Sequence, residues 1–155
     1  MRILFLDQFS DPGGAQQVLL DLLPAISERG WEALVGMPGE GDLFRRVREM
    51  GIETVQVECG PYTSGRKSAA DAARFLAGTP RLARQIRRLT ADIVYVNGPR
   101  LLPAVALARM TAPVLFHSHS YIPPGASRRI AGASLRRTNA HVVANCRFVA
   151  EQWRP

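Results

Sequence analysis

Short apolar runs alternate with segments of helical period along the whole of this chain, and that alternation limits its fold more than any other feature. Ile3-Leu4-Phe5-Leu6 is apolar without interruption, as a parallel strand buried on both faces requires. After the turn Asp11-Pro12-Gly13-Gly14, residues Val18, Leu19, Leu22, Leu23 and Ile26 recur on one helical face. Pro24 falls inside that pattern and is expected to kink the helix near its middle, and Gly30 to stop it. Residues 32–36 predict a second strand. Gly41-Asp42 opens a short helix with Leu43, Val47 and Met50 on one face, closed by Gly51, and residues 52–57 alternate as a third strand. Beyond a loop over 60–65, two helical pieces are expected, roughly 67–77 and 80–90, divided at Gly78-Thr79-Pro80, with Phe75, Leu82, Ile86 and Leu89 on one stripe. Strands over 92–96, 113–116 and 141–144 alternate with helices near 101–110, 126–137 and 145–153.

Such alternation predicts an α/β protein: a doubly wound parallel sheet with helices on both faces, the crossovers being right-handed. With 155 residues, 46% of them apolar, the chain can build one real core but not two full domains. Ligands of such sheets sit beyond the carboxyl ends of the strands, near the switch in strand order. The loops 7–14, 36–41, 58–66, 97–100, 117–125 and 145–147 are therefore the places to look for chemistry. No stretch of 18 or more apolar residues is present to form a transmembrane helix, and the opening apolar run is too short for a signal peptide, so a cytoplasmic protein is expected. Cys59 and Cys146 lack metal-ligand spacing and read as free thiols.

The net charge of +7 is unevenly spread. Residues 1–58 carry ten acidic and five basic residues, a net of −5, whereas residues 59–155 carry three acidic and fifteen basic ones, a net of +12. The basic half would attract phosphates, nucleic acid or anionic headgroups. Arg81, Arg84 and Arg88 share a helical face, which is either an anionic docking surface or simply solvated. Nucleic-acid binding is not expected, because aromatics are not interleaved with the basic residues and no helix-turn-helix, zinc-finger or RNP-like pattern is present.

Three local features carry possible chemistry. Asp11-Pro12-Gly13-Gly14-Ala15-Gln16 joins the first strand to the first helix; its glycines admit a ligand close to the backbone, and the helix N-terminus beyond suits a phosphate. It is neither GxGxxG nor a Walker loop, and on the residues alone it is equally a tight turn without a ligand. His117-Ser118-His119 closes the fifth strand, so the two imidazoles share a side while Ser118 faces away; no third metal ligand is suggested. Asp7 follows the first strand, as in phosphoacceptor domains, but without the acidic partners those require.

The ordered series of these features resembles the N-terminal domain of glycosyltransferase family four, whose members have the GT-B fold. The resemblance runs from Ile3-Leu4-Phe5-Leu6 through Pro12-Gly13-Gly14-Ala15-Gln16, Arg29-Gly30-Trp31-Glu32, Gly41-Asp42-Leu43 and Ala91 to Asn97. It continues through Pro113 to His119 and Val142-Val143-Ala144-Asn145. It implies a Rossmann-like, acceptor-side domain of an enzyme that moves a sugar from a nucleotide-diphosphate donor to a sugar or lipid-linked acceptor, retaining configuration and needing neither metal nor cofactor. Peripheral contact of the basic half with a membrane's inner face would fit a lipid-linked acceptor. Gly13 and Gly14 match the glycine loop that approaches the diphosphate, His119 the active-site histidine, and Asn97 a strand-end position near the acceptor. With Ala15, Gln16, Arg100, Ser120 and Tyr62 from the neighbouring loops, these make the candidate substrate-binding set. Gln16 stands where Glu is frequent, Cys146 where Ser is, and His117 is an additional His. The family's Glu-x7-Glu motif belongs to a C-terminal donor-binding domain beyond Pro155, so this chain is expected to be inactive alone. The alternative is a non-catalytic module of the same fold that binds anionic lipid or a protein partner; an oxidoreductase reading lacks the dinucleotide fingerprint.

Overall fold

The structure, a computed structural model, describes residues 1–39, 41–60 and 68–154. The chain order is β1 (Arg2–Leu6), α1 (Gly14–Glu28), β2 (Glu32–Met37), α2 (Asp42–Glu49), β3 (Glu53–Gln56), α3 (Ala69–Arg88), β4 (Ile93–Val96), α4 (Leu102–Ala108), β5 (Val114–Ser118), α5 (Ala126–Thr138), β6 (His141–Ala144) and α6 (Arg147–Glu151). All six strands pair in parallel in the order β3-β2-β1-β4-β5-β6. The expected α/β architecture, a Rossmann-like doubly wound sheet, is therefore present. After β3 the chain crosses back over the sheet to lay β4 beside β1, with Leu6 opposite Val96. The switch in strand order thus lies between β1 and β4.

Alternation along each strand sorts the apolar residues into two layers. Ile3, Phe5, Val35 and Met37 face α1 and α2, meeting Leu19, Leu23, Leu43 and Val47. Leu4, Leu6, Val94 and Val96 face the other way, onto Leu82 and Ile86 of α3, Val105 of α4 and Leu135 of α5. Burying each of these large side chains contributes about 1.5–3 kcal/mol, which is why the strands read as unbroken apolar runs.

Both α1 and α2 end on glycines with positive φ. Gly30 N–H donates to Ser27 O and Trp31 N–H to Ile26 O, and Gly51 and Ile52 repeat the pattern on Arg48 and Val47. These paired reverse bonds close each helix on a left-handed residue that only glycine adopts at no steric cost.

Some local expectations fail. The division at Gly78-Thr79-Pro80 is absent, since α3 is one helix of 20 residues containing Pro80. The donor that Pro80 lacks would have met the carbonyl of Leu76, whose side chain is 68% exposed, so water can serve that carbonyl. Thr79 Oγ1 donates to Phe75 O at 2.6 Å in the same turn. At the start of α3, Ser68 and Asp71 form a reciprocal capping box. Helix α1 carries Pro24 within its single span, Gly14–Glu28, which a kink at that residue permits. Met50 is exposed and Phe44 takes the buried place beside Leu43 and Val47, while Phe75 is only half-buried. No helix among the described residues is long and apolar enough to cross a membrane. The two edge strands differ in chemistry: β3 shows Glu53 and Gln56 to solvent, whereas β6 shows His141, Val142 and Val143.

Candidate functional site

The glycine loop, the end of β4 and the end of β5 meet at the carboxyl edge of the sheet, around a carboxylate that is fully buried. Asp7 directly follows β1 and is 0% exposed. Its Oδ1 accepts from Phe9 N–H at 2.9 Å and from Gln16 Nε2 at 2.9 Å, and its Oδ2 accepts from Asn97 Nδ2 at 2.5 Å. Burial raises its pKa above the ordinary carboxylate value, while the bonds from Asn97, Phe9, Gln16 and Gln8 pull in the opposite direction. The buried carboxylate also contributes to raising the pKa of the Tyr95 phenol and that of the Cys59 thiol, which reaches about 12, although burial is the larger cause for both.

Asn97 is the hub. Its Nδ2 donates to Asp7 and also to Ala15 O at 3.1 Å, so its Oδ1 must be the acceptor for His119 Nε2 at 2.6 Å. One amide therefore joins β1, the first turn of α1 and the end of β5. His119 Nδ1 faces Asn145 Nδ2 at 3.3 Å, and Asn145 Oδ1 accepts from His117 Nε2 at 2.8 Å. The Tyr95 hydroxyl donates to His117 Nδ1. With this assignment every donor meets an acceptor and both imidazoles are neutral. Burial lowers the pKa of His119 to about 4, with His117 beside it adding to the effect, and burial lowers His117 too, against its bond to Asn145. The two rings lie 3.9 Å apart between centroids and 31° from coplanar, as expected of residues on one side of a strand.

Ser118 points to the opposite face, where it is buried. Its Oγ accepts from Trp153 Nε1 at 2.8 Å, and the Trp153 ring packs edge-on against Phe116. Gln152, also buried, accepts from Ile122 N–H at 2.8 Å and donates to Ser120 O at 3.0 Å and Val149 O at 2.9 Å. The turn after α6 thereby holds the segment that follows His119.

The glycine loop presents its backbone outward. Gly13 is extended and precedes α1 without a side-chain cap, so the first N–H groups of the helix have no acceptor from a capping side chain. A Cβ on Gly13 would lie 2.7 Å from Gln16 Oε1, whereas one on Gly14 would meet nothing within 4 Å. Internal packing thus accounts for Gly13 and leaves Gly14 facing open space. Gln16 is buried through its bond to Asp7. A Glu at that place would set two carboxylates against each other, so the amide here and the carboxylate of Asp7 form a matched pair. The additional His117 has its place between Tyr95 and Asn145.

The sequence-derived set is only partly gathered. Gly13, Gly14, Ala15, Gln16, Asn97 and His119 share this corner. Arg100 lies one turn beyond Asn97, half-buried, with its backbone N–H on Gln8 Oε1 at 3.3 Å. Ser120 is exposed beside His119, and Tyr62 lies outside the described residues. Sequence reasoning passed over Asn145, Tyr95 and Gln152 and set Asp7 aside; the available signal was an acid closing an otherwise apolar strand next to the predicted switch point. No group of three or more His, Cys, Asp or Glu among the described residues could hold a metal ion. A surface groove of about 400 Å3 lined by Gly41, Phe44, Arg45, Arg48 and Glu49 lies along α2, apart from these residues.

The model of the family described as "Glycosyltransferase Family 4" matches residues 12–155. No curated protein sequence matches the chain significantly. Among solved structures, the chain is similar to Anabaena HepE in complex with UDP, with a TM-score of 0.72 and 23% identity over 99% of this chain and 40% of that one. HepE in complex with UDP-glucose gives a TM-score of 0.70 at 24% identity with the same coverage. Acinetobacter baumannii MurG gives 0.60 at 16% identity, over 92% of this chain and 40% of MurG. At these identities the likeness is one of fold. The chain spans about 40% of the length of these structures.

Proposed function

The chain belongs to Glycosyltransferase Family 4, and from that premise we propose that it forms one wall of the cleft in an enzyme transferring a sugar from a nucleotide-diphosphate donor to an acceptor. The observation that carries this reading is the Asn97 amide, which ties the glycine loop to His119 at the strand-order switch. The switch point is where doubly wound sheets hold their ligands.

In this reading the uncapped N–H groups at Gly14 and Ala15, with the α1 dipole, stabilise charge on the leaving diphosphate. The open space over Gly14 lets the phosphates approach the backbone. Neutral His119 contacts the donor sugar or the reacting centre, and Asn97 holds it there. Arg100 and Ser120 line the acceptor side. HepE, in its complexes, binds UDP and UDP-glucose; a nucleoside-diphosphate sugar is accordingly the donor class proposed for this chain. Transfer retains configuration and needs no metal. A second domain carrying a Glu-x7-Glu spacing supplies the rest of the donor site, so this chain does not catalyse transfer alone.

The test joins the chain to the donor-binding domain of a family relative and measures nucleotide release from nucleotide sugars, with and without His119→Ala. Release that depends on both halves and falls with the substitution supports the reading; release untouched by it removes His119 from the site.

A membrane-facing role for the basic half rests on the exposure of Arg81, Arg84, Arg87 and Arg88 on α3, the same helix that exposes Leu76. Attraction to anionic headgroups would place a lipid-linked acceptor near the cleft. Co-sedimentation with anionic vesicles, lost at high salt, supports it; no sedimentation at low salt removes it.

A further inference from the structure

Asp7 is the one fully buried acid among the described residues, and the transfer reaction as proposed makes no direct use of it. We propose that Asp7 is a positioning residue: through the Asn97 amide it holds His119 in the Nε2–H tautomer, so that the imidazole offers its Nδ1 lone pair to a sugar hydroxyl in the cleft. The inference rests on the nucleotide-sugar reading for its ligand, but not for its geometry.

The reasoning follows donors and acceptors in turn. Phe9 N–H and Gln16 Nε2 both donate to Oδ1 of Asp7, and Asn97 Nδ2 donates to Oδ2. No acceptor for a carboxylic proton appears among these contacts, so the ionised acid fits the surroundings. An ionised Asp7 together with the Ala15 carbonyl gives both hydrogens of the Asn97 Nδ2 group an acceptor. The orientation of Asn97 is then fixed, with Oδ1 toward His119. An acceptor 2.6 Å from Nε2 requires that nitrogen to carry the proton. Nδ1 is left as the acceptor, facing an exposed residue, Asn145, across a long 3.3 Å contact. A hydroxyl can take that place with little loss, because Asn145 Nδ2 keeps His119 O as an acceptor at 3.3 Å and Asn145 Oδ1 keeps His117 Nε2–H. The protein thus offers a sugar an acceptor, and the hydrogen bond runs from the hydroxyl to the ring.

Asp7→Asn tests the coupling. The new amide must keep its oxygen toward Phe9 N–H and Gln16 Nε2, which turns its NH2 toward Asn97 Nδ2, donor against donor. A flip of the Asn97 amide meets the new NH2 with an acceptor and puts its own NH2 on His119 Nε2, forcing the proton to Nδ1, at the cost of the bond to Ala15 O. The readout is the pattern of two-bond 15N–1H correlations of the His119 ring in the labelled chain at pH 7, which distinguishes the tautomers without any ligand. Expected are Nε2–H in the unsubstituted chain, a large gain of Nδ1–H in Asp7→Asn, and unchanged Nε2–H in Asn145→Ala. Nδ1–H in the unsubstituted chain overturns the proposal even if Asp7→Asn does not fold. So does an unchanged tautomer in folded Asp7→Asn, or a switch in Asn145→Ala. Loss of UDP-glucose binding with the tautomer intact would instead count against the function proposed above, and the two failures are thereby separable.

Discussion

His119 Nε2 lies 2.6 Å from Asn97 Oδ1, two side chains from the ends of adjacent strands that are 22 positions apart in sequence. Asn97→Ala would leave the Asp7 carboxylate, the Ala15 carbonyl and His119 Nε2–H each short of a partner in a largely buried place. The expected loss of stability is about 1–3 kcal/mol, read from denaturant unfolding. His119→Ala removes an exposed-side partner and should cost less stability. It should nonetheless lower transfer in the two-domain enzyme by roughly 10²–10⁴-fold.

The two glycines should separate by mechanism. Gly13→Ala drives a methyl against Gln16 Oε1, disturbs the Gln16–Asp7 bond and lowers the melting temperature. Gly14→Ala has room and sits at a helical position, so stability should change by less than about 1 kcal/mol. If diphosphate approaches that backbone, the same methyl should weaken UDP binding roughly tenfold or more, about 1.4 kcal/mol, measured by calorimetry on the two-domain enzyme. Equal UDP affinity in Gly14→Ala would place the diphosphate elsewhere.

Gln152→Ala leaves Ile122 N–H and Ser120 O without the side chain that serves them. A destabilisation of about 1–3 kcal/mol is expected, with faster amide exchange concentrated at residues 120–122. Exchange unchanged there would mean the segment is held by other contacts.

The histidine pair gives a pH signature whose sign is set by the lowered pKa values. His119 titrates near 4 when folded and near 6.5 when unfolded, so between those values the unfolded chain binds more protons. Its contribution to stability is complete above pH 6.5 and is lost progressively as pH falls toward 4. Asp7, whose pKa is raised, acts in the opposite sense over its own window. Ring resonances of His119 should therefore stay those of a neutral imidazole through pH 5.5, and binding that uses its Nδ1 lone pair should hold across that range and fail near pH 4. A His119 midpoint near 6.5 in the folded chain would contradict the burial described here.

The central strands β1 and β4 were legible because each is buried on two faces, leaving an apolar run that no other element of that length requires. That the loops bearing the glycine turn, Asn97 and His119 share one edge was legible because topology places the carboxyl ends of strands together before any contact is known. The hydrogen-bonded chain among them was not, because Asp7 and Asn97 are 90 positions apart and Tyr95 and His117 are 22 apart, and no local pattern pairs them. The false break in α3 has a different origin. Gly78-Thr79-Pro80 is a genuine local signal for an ending, overridden where the donor missing at Pro80 concerns a water-facing turn and Leu82 and Ile86 anchor the next turns in the core.

The contrast between the outer strands bears on how the protein behaves in concentrated solution. Along β3, Glu53 and Gln56 discourage another chain from adding itself to the sheet, whereas β6 offers a short valine pair with no such gatekeeper at the strand itself. In a solution of residues 1–155 alone, self-association by strand addition should therefore start at Val142 and Val143, and a lysine placed at either position should raise the concentration at which this segment remains monomeric.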